Sequence, residues 1–521
     1  MNPVPCIIKR TKLFLLMLLL LYTDVLYGQH QERSRHPNIL FIAVDDLRPE
    51  LGAYGRAYMH TPHMDRLARE GRVFLNHYVN VPTCGASRYS MLTGRLPQTP
   101  AALSNDAFEK LTAGKPAAEE PESFVELFRR NGYYTVGIGK ISHSPDGNVY
   151  GYNQPVSDKR ELPHSWDAFY FDHGKWQTGW NAFFGYAGGE NRQGRKNEVR
   201  PYEHKDVPDT AYPDGLTAQL AVEQLAVLKE KDQPFLLAVG FFKPHLPFTA
   251  PEKYWDLYDE RKIPLSASPG IPAAVNEKSL HNSNEFNQYK QGEEKPSLKA
   301  PVSDAYARKL RHAYFAAVSY VDTQIGKVLE ALKQAGLDKN TVVVLWGDHG
   351  WHLGDERVWG KHTLSDYSLR SPLILRVPGM PAAGMSSPQV VQSVDIYPTL
   401  LQLAHISPKG ILDGRSLYPE LFRTGRGHAT VARSYFNRGI SLRTSRYRLT
   451  KYYRQEQPVT ELYDYTNDPY ETRNLAASFP GVVDSLLPVV EHAGTTIQQY
   501  WKPGKGSGKD GKEQVGRKND Q

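Results

Sequence analysis

The feature that most constrains the fold of this chain is an apolar run that ends in two acids. Residues Asn38–Val44 are almost continuously apolar, and Asp45 and Asp46 follow them directly. A run of this kind is typical of a strand that is buried on both faces of a parallel sheet. Since α/β proteins place their sites at the carboxyl ends of such strands, the two acids are candidate site residues. An isolated acidic pair would more often be a solvated turn.

Further apolar runs and one long helical pattern extend this picture. Strand-like runs occur at residues 133–138, 235–242, 341–345 and 372–377. Apolar residues between 310 and 332 recur at helical spacing. Strands that alternate with helices predict an α/β fold with a mainly parallel central sheet.

The chain divides into four predicted segments. Lys9, Arg10 and Lys12 precede the apolar stretch 13–22, which predicts a signal peptide over residues 1–28. Because that stretch is short for a transmembrane helix, an uncleaved anchor is the minor alternative. The other segments are a large α/β domain at 36–425, a smaller α+β subdomain at 426–502 and a disordered basic tail at 503–521.

The signal peptide predicts an exported protein, periplasmic or secreted. The 521 residues contain no Asn-x-Ser/Thr sequence, which favours a bacterial source. The net charge is +7, and part of the excess lies in the tail. A basic balance suits an anionic substrate, although it also fits a merely soluble surface. We expect no nucleic-acid partner and no stable membrane span.

Cys84 stands out because it would be the one thiol of the mature chain. The chain has two cysteines, and Cys6 lies in the segment that we expect to be removed. A lone cysteine in an exported protein is either a buried spectator or chemically special. Here it opens the sequence Cys-Gly-Ala-Ser-Arg, which ends at Arg88 and is followed by Leu-Thr-Gly-Arg at 92–95.

A second pair of metal-capable residues strengthens the case for a metal. Asp348 and His349 follow the apolar run 341–345 and are flanked by glycines. Two strand ends that each present metal-capable residues predict one divalent site with Asp45 and Asp46. Carboxylate oxygens favour Ca²⁺ or Mg²⁺, and the histidine leaves the choice between them open.

Basic side chains also follow the predicted strands. The candidates are Lys140, His143, His245 and Lys361. Any one of them alone would most simply be a surface residue or a satisfied histidine. Together they would supply positive charge and protons around a tetrahedral oxyanion.

Over residues 38–476 the chain resembles the type I sulfatases, and among them the iduronate-2-sulfatase branch. The segments that carry the resemblance are Val-Asp-Asp-Leu-Arg at 44–48, the Cys84 motif with Leu-Thr-Gly-Arg, Gly-Lys-Ile-Ser-His at 139–143, Phe-Lys-Pro-His-Leu-Pro-Phe at 242–248, Ser-Tyr-Val-Asp-Thr-Gln at 319–324, Gly-Asp-His-Gly-Trp at 347–351 and Glu-Leu-Tyr-Asp at 461–464. The family's usual signature has proline where this chain has Ala86. The resemblance implies an alkaline-phosphatase-like fold with 36–425 as the sulfatase catalytic domain, and calcium in preference to magnesium.

The resemblance also implies a role for each matching position. The metal ligands would be Asp45, Asp46, Asp348, His349 and modified Cys84, and the sulfate contacts would be Arg88, Lys140, His143, His245 and Lys361. A maturation enzyme would convert Cys84 to formylglycine, whose hydrate attacks sulfur. His245, with Lys361 as a candidate helper, would protonate the leaving sugar oxygen, and His143 would take a proton as sulfate is released.

Of all the properties considered, the identity of the substrate is the one that the sequence determines least. After Lys361 the chain departs from the iduronate enzyme, and we expect His362, Asp366 and Arg370 to contact the substrate. The expected substrate is a sulfated oligosaccharide or polysaccharide, with a uronate 2-O-sulfate as one possibility. Two alternatives stay open: phosphate or phosphonate monoester hydrolysis on the same fold, and a calcium-stabilised sugar-binding protein whose Cys84 is never converted.

An aromatic segment at residues 144–205 has no clear counterpart in the iduronate enzyme. Its large side chains include Trp166, Trp176, Trp180 and Tyr186. Aromatic rings at this place could stack on sugars, but packing of the segment onto the main domain is at least as well supported.

Overall fold

The computed structural model of the protein describes residues 36–119, 121–422, 431–454 and 459–501. The predicted signal peptide (1–28), the predicted basic tail (503–521) and the predicted boundary between residues 425 and 426 lie outside the described residues. Within them, no helix combines the length and the apolar character that a membrane crossing requires.

Strands and helices alternate through most of the described chain. The strands are β1 (Asn38–Val44), β2 (Arg72–Tyr78), β3 (Tyr134–Gly139), β4 (Ala168–Tyr170), β5 (Tyr202–Lys205), β6 (Phe235–Phe241), β7 (Phe248–Pro251), β8 (Thr341–Gly347), β9 (His352–Leu353), β10 (Trp359–Gly360), β11 (Leu373–Arg376), β12 (Ser386–Gln392), β13 (Ala432–Phe436), β14 (Gly439–Arg443), β15 (Tyr447–Tyr452) and β16 (Val459–Asp464). The α-helices are Pro62–Glu70, Cys84–Thr93, Ala107–Leu111, Phe124–Arg130, Gly179–Phe183, Pro213–Lys229, Glu252–Trp255, Asn284–Asn287, Asp304–Gln334, Asp366–Leu369, Ile396–Leu403, Tyr418–Phe422 and Pro480–Ala493.

The main sheet has eight strands in the order β12-β2-β11-β8-β1-β6-β3-β4. β11 runs antiparallel to both of its neighbours, whereas the other adjacent pairs are parallel. The predicted α/β fold with a mainly parallel sheet is therefore confirmed. The run predicted at 372–377 forms β11, which is the antiparallel exception.

The register of the central strands fixes where the site can lie. Val44, the last residue of β1, pairs with Phe241 of β6 and with Gly347 of β8. Gly139, the last residue of β3, pairs with Gly240 of β6. The residues that follow these four strands therefore leave the sheet at the same edge.

Side chains of β1 alternate between two hydrophobic cores. Leu40 and Ile42 pack in the core that includes the long helix Asp304–Gln334, while Ile39 and Phe41 face the core on the other side of the sheet. Burial on both faces explains why β1 is almost continuously apolar and not alternating.

A smaller sheet follows the main one. β13 to β16 form a four-stranded antiparallel sheet in sequence order, and the helix Pro480–Ala493 packs its Val483 and Val490 against it. This helix ends at Ala493, where Gly494 caps it, and a separate 3-10 turn follows at Ile497–Tyr500. The limits of the predicted α+β subdomain (426–502) stay a prediction.

Candidate active site

The strand ends bring the predicted acids together at one edge of the sheet. Asp45 and Asp46 follow β1, and Asp348 and His349 follow β8; all four are fully buried. Cys84 is the first residue of the helix Cys84–Thr93, and it is only 4% exposed.

The acids, the cysteine and the histidine are spaced as a metal site would be. Ligand atoms of Asp45, Cys84, Asp348 and His349 all lie within 4.8 Å of one another, and Asp46, Cys84 and His245 form a second, overlapping group. His349 Nε2 lies 3.2 Å from the Cys84 sulfur. One carboxylate oxygen of Asp45 is buried without a hydrogen-bond partner. These donors fit a divalent cation, since buried carboxylates need a charge to pair with.

Burial and neighbouring positive charge shift the pKa values of these acids in opposite directions. Burial raises the pKa of Asp46 well above its ordinary value and also raises that of Asp348. Burial opposes ionisation of Asp45 too, but Lys140 and the other nearby cations hold its pKa well below the usual range. Asp45 is therefore a carboxylate in the folded chain even before a metal is considered.

Three cations surround the acids. Lys140 Nζ lies 2.5 Å from an Asp45 oxygen, and Arg88 Nε lies 2.9 Å from an Asp348 oxygen. Lys361 Nζ lies 2.9 Å from Asp46 Oδ1. The predicted cations Arg88, Lys140 and Lys361 thus meet in one buried cluster.

The two predicted histidines lie next to this cluster. His245 Nε2 is 3.7 Å from an Asp46 oxygen, while its Nδ1 lies 2.6 Å from the Leu246 carbonyl oxygen. Burial lowers the pKa of His245 to about 3 and lowers that of His143 well below its usual value. His143 packs against Trp180, with ring centroids 5.2 Å apart. Both imidazoles are therefore neutral in the folded chain at neutral pH.

Burial also decides the state of the unmodified thiol. It raises the pKa of Cys84 to about 12, so the thiol stays protonated at neutral pH. A protonated thiol is a poor nucleophile.

Two acids that sequence analysis missed support the basic side chains. Glu285 Oε1 lies 3.1 Å from His245 Nε2 and 3.2 Å from Lys361 Nζ. Asp214 accepts hydrogen bonds of 2.8 Å from the backbone N–H groups of Phe242 and Lys243, which fixes the loop that carries His245. Neither acid belongs to a recognisable motif, and only the fold brings them here.

The predicted substrate contacts separate into two groups. His362 lies beside Lys361, is partly exposed and stacks on Phe436 with ring centroids 5.6 Å apart. Asp366 instead accepts a hydrogen bond from the Tyr78 hydroxyl, and Arg370 donates one to the Leu75 carbonyl. These contacts hold Asp366 and Arg370 against β2, so the structure does not bring them to the cluster as it does His362.

The aromatic segment at 144–205 packs largely inward. Trp176, Trp180 and Tyr186 are at most 5% exposed, and Trp166 packs at the edge of the core. These four rings therefore attach the segment to the domain.

Family models and related proteins agree with this geometry. The sulfatase model matches residues 37–406, and the model of the C-terminal part of N-sulphoglucosamine sulphohydrolase matches residues 347–480. The chain is 31% identical to iduronate 2-sulfatase of Mus musculus over 420 residues, which span 75% of this chain and 72% of that protein. It is 30% identical to a sulfatase of Formosa agariphila over 87% of this chain and 85% of that protein.

Solved structures share the fold over most of the chain. The phosphonate monoester hydrolase of Agrobacterium radiobacter superposes with a TM-score of 0.68 at 25% identity, covering 88% of this chain and 96% of that one. A protein solved with its substrate D-glucosamine-2-N,6-O-disulfate superposes with a TM-score of 0.67 at 20% identity, covering 89% and 98%. The predicted alkaline-phosphatase-like fold is confirmed. The chain belongs to the sulfatase family: it is a sulfuric ester hydrolase that resembles the iduronate-2-sulfatase branch.

Proposed function

We propose that the protein hydrolyses sulfate esters on an oligosaccharide or polysaccharide, with Cys84 converted to formylglycine and with calcium as the bound ion. The observation that carries this proposal is the position of Cys84. It begins a helix within 4.8 Å of the ligand atoms of Asp45, Asp348 and His349. The iduronate 2-sulfatase relative and the neighbour solved with a disulfated glucosamine support a sugar substrate.

Asp45, Asp46, Asp348 and His349, with position 84, would hold the ion. Calcium suits this set better than magnesium, because it accepts more oxygen ligands in a less regular geometry. When bound, the ion supplies positive charge that polarises the sulfate ester.

The basic residues would hold and polarise the sulfate. Lys140 contacts Asp45 and Lys361 contacts the neighbouring Asp46, so a sulfate bound at this cluster would have two ammonium groups near it. Arg88 is fully buried and paired with Asp348, and its guanidinium adds fixed positive charge without needing to reorganise. In formylglycine form, position 84 would supply a hydrate of which one hydroxyl attacks sulfur and the other allows sulfate to be released.

His245 and His143 would move the protons. The Leu246 carbonyl accepts a hydrogen bond from Nδ1 of His245, which leaves Nε2 facing the cluster. Because the neutral ring holds its one proton on Nδ1, Nε2 would first take up a proton from Lys361, which shares the partner Glu285 with it. That proton would then pass to the sugar oxygen as its bond to sulfur breaks. His143, neutral through burial, would accept the proton of the second hydroxyl.

Maturation and location follow from the same proposal. Cys84 is buried, so a formylglycine-generating enzyme would have to act before the domain closes around it. We propose that the protein is exported to the periplasm or secreted, in line with the signal peptide predicted at 1–28.

The test is sulfate release from defined sulfated oligosaccharides, measured beside the intact mass of the mature chain. We expect turnover by preparations that show the mass loss of aldehyde formation, and none by Cys84→Ala. Turnover by fully unconverted protein would contradict the proposal. An unconverted Cys84 in the native organism would instead favour the non-catalytic, sugar-binding alternative.

Phosphonate monoester hydrolysis is the second candidate, and the fold shared with the Agrobacterium radiobacter enzyme favours it. The two reactions separate by kcat/KM. If kcat/KM is higher for an aryl phosphonate than for every sulfated sugar in the screen, phosphonate monoester hydrolysis becomes the better-supported function.

A further inference from the structure

Arg192 is a buried cation within the aromatic segment at 144–205. It is 4% exposed, and its Cζ lies 3.7 Å from the ring centroid of Phe184. The rings of Tyr289 and Tyr152 lie 5.4 and 6.0 Å from the same atom. Nε has no hydrogen-bond partner, and no carboxylate of the described residues lies within ion-pair distance. Aromatic faces offset only part of the cost of burying a charge, so this guanidinium can still gain by pairing with an anion.

Two adjacent aromatic rings, Phe183 and Phe184, connect Arg192 with the proposed catalytic groups. Phe183, adjacent to Phe184, lies 4.4 Å from the His245 ring between centroids, and Lys140 Nζ lies 4.1 Å from the Phe183 ring centroid. Phe184 itself lies 6.1 Å from the His245 ring. Arg192 and two of the proposed catalytic groups, His245 and Lys140, thus pack against the same pair of adjacent rings.

Tyr152 extends this group of aromatic rings towards His143. Its ring lies 5.3 Å from Phe184 and 4.7 Å from Trp180, which in turn contacts His143. Burial raises the pKa of Tyr152 to about 12, so its hydroxyl is neutral at neutral pH. Tyr152 therefore contacts both Phe184, on which Arg192 packs, and Trp180, which contacts His143.

Backbone hydrogen bonds hold the two loops of this region together. The N–H of Lys290 donates to the Asn197 carbonyl at 3.0 Å, and the N–H of Gln291 donates to the Val199 carbonyl at 3.1 Å. Arg192 is thereby held against Tyr289 by main-chain contacts as well as by its own packing. A fixed, buried guanidinium is a better recognition element than a mobile surface lysine.

We propose that Arg192 is a specificity-determining residue that binds a second anionic group on the sugar that carries the scissile sulfate. The group would be a carboxylate or another sulfate, both of which match the planar fork of a guanidinium. The inference rests on the proposed sulfatase function and narrows its substrate to sugars with two acidic groups. The low polarity of the aromatic surroundings of Arg192 would make the pairing strong.

The experiment compares kcat/KM of wild type and Arg192→Gln on three substrates. These are a sulfated uronate, a disulfated hexosamine and a monosulfated neutral hexose. We expect a loss of about 10²-fold on one or both of the dianionic substrates, as for truncation of one partner in a buried ion pair. The loss on the neutral hexose should be under about threefold. The uronate and disulfated arms show whether the second anion is a carboxylate or a sulfate.

Arg195→Gln is the matched control, because Arg195 lies in the same segment but is exposed. We expect it to change every kcat/KM by less than about twofold. Equal losses by Arg192→Gln on all three substrates would overturn the inference.

The wild type alone provides a test that does not depend on how the variant folds. If it hydrolyses the neutral hexose as well as either dianionic sugar, Arg192 does not select a second anion, and the sulfatase proposal stands. If it releases sulfate from none of the three and from no aryl sulfate, the proposed function itself fails and the inference fails with it.

Discussion

Two regions of the molecule contribute to the site in different ways. The strand-end cluster, which comprises Asp45, Asp46, Cys84, Arg88, Lys140, Asp348 and His349, is attached to the main sheet or to the helix that begins at Cys84. The loop rim, which comprises Tyr152, Phe184, Arg192, Glu285, Tyr289 and His362, comes from the segments between strands. From this contrast we expect the residues attached to the sheet to carry out the reaction and the residues of the loops to determine which substrate binds.

Charge pairing separates the same two regions. In the cluster, Asp45 pairs with Lys140 and Arg88 pairs with Asp348. In the rim, Glu285 is paired with His245 and Lys361, whereas Arg192 has no acidic partner among the described residues. Substitutions in the cluster should therefore affect every substrate alike, and substitutions in the rim should affect some substrates more than others.

The largest expected effect is that of Cys84→Ser in the cluster. An unmodified serine has one hydroxyl, so it can accept sulfate but cannot release it by re-forming an aldehyde. We expect multiple-turnover activity to fall by about 10⁴-fold or more on every substrate. The melting temperature should change little, because the two side chains are similar in size. Steady turnover by the serine variant, with its mass unmodified, would contradict the mechanism.

Removal of the metal should have the second-largest effect on activity. Asp45→Ala, or exhaustive dialysis against EDTA, is expected to lower kcat/KM on the order of 10³-fold, since a bound ion supplies several kcal/mol of charge stabilisation. The melting temperature of wild type should also fall on chelation, because a ligand that binds only the native state stabilises it. Calcium added back to the dialysed enzyme should restore both values. Full activity in excess EDTA would remove the metal from the proposal.

The cluster was predictable from the sequence because each of its parts is a local signal. The apolar run of β1 and the acids that follow it are adjacent in the chain, and so are Gly347 and Asp348 at the end of β8. A parallel register then brings those ends together without further information. The hydrogen bond from the N–H of Asp46 to Asp348 is a consequence of that register.

The rim was not predictable for the opposite reason. Glu285 lies in a polar, irregular stretch, and nothing near it in sequence indicates that it reaches His245. Asp366 and Arg370 show the same dependence on long-range contacts, and their contact with substrate stays a prediction. Their closeness to Lys361 in the chain suggested a shared site, but the short helix Asp366–Leu369 places them against β2. Packing between residues far apart in the chain determines these contacts, and the spacing of apolar residues in the sequence does not reveal it.

Lys361 contacts both regions, so a substitution of it tests whether it acts with the strand-end cluster or with the loop rim. Its ammonium contacts Asp46 of the cluster and Glu285 of the rim. If its charge acts on the sulfate, Lys361→Met should lower kcat/KM by about 10²-fold on a sulfated oligosaccharide and on an aryl sulfate alike. A loss confined to the oligosaccharide would move Lys361 into the rim.

The smallest expected effect, and the sharpest test of the rim, is that of His362→Ala. His362 is partly exposed beside Lys361 and stacks on Phe436, and burial lowers its pKa to about 3. A neutral imidazole at this place can exchange hydrogen bonds with a sugar hydroxyl but adds no charge to the sulfate. Binding energy from such remote contacts lowers the barrier for the natural substrate and is missing for a truncated one.

We therefore expect His362→Ala to lower kcat/KM about tenfold on a sulfated oligosaccharide and less than about twofold on an aryl sulfate. Asp366→Asn is the matched control from the same loop. Its carboxylate accepts the Tyr78 hydroxyl, so we expect a lower melting temperature and an unchanged ratio of the two kcat/KM values. Equal losses on both substrates for His362→Ala would assign His362 to the cluster. A changed ratio for Asp366→Asn would support the prediction that Asp366 contacts the substrate, so the two variants together test which residues belong to the rim.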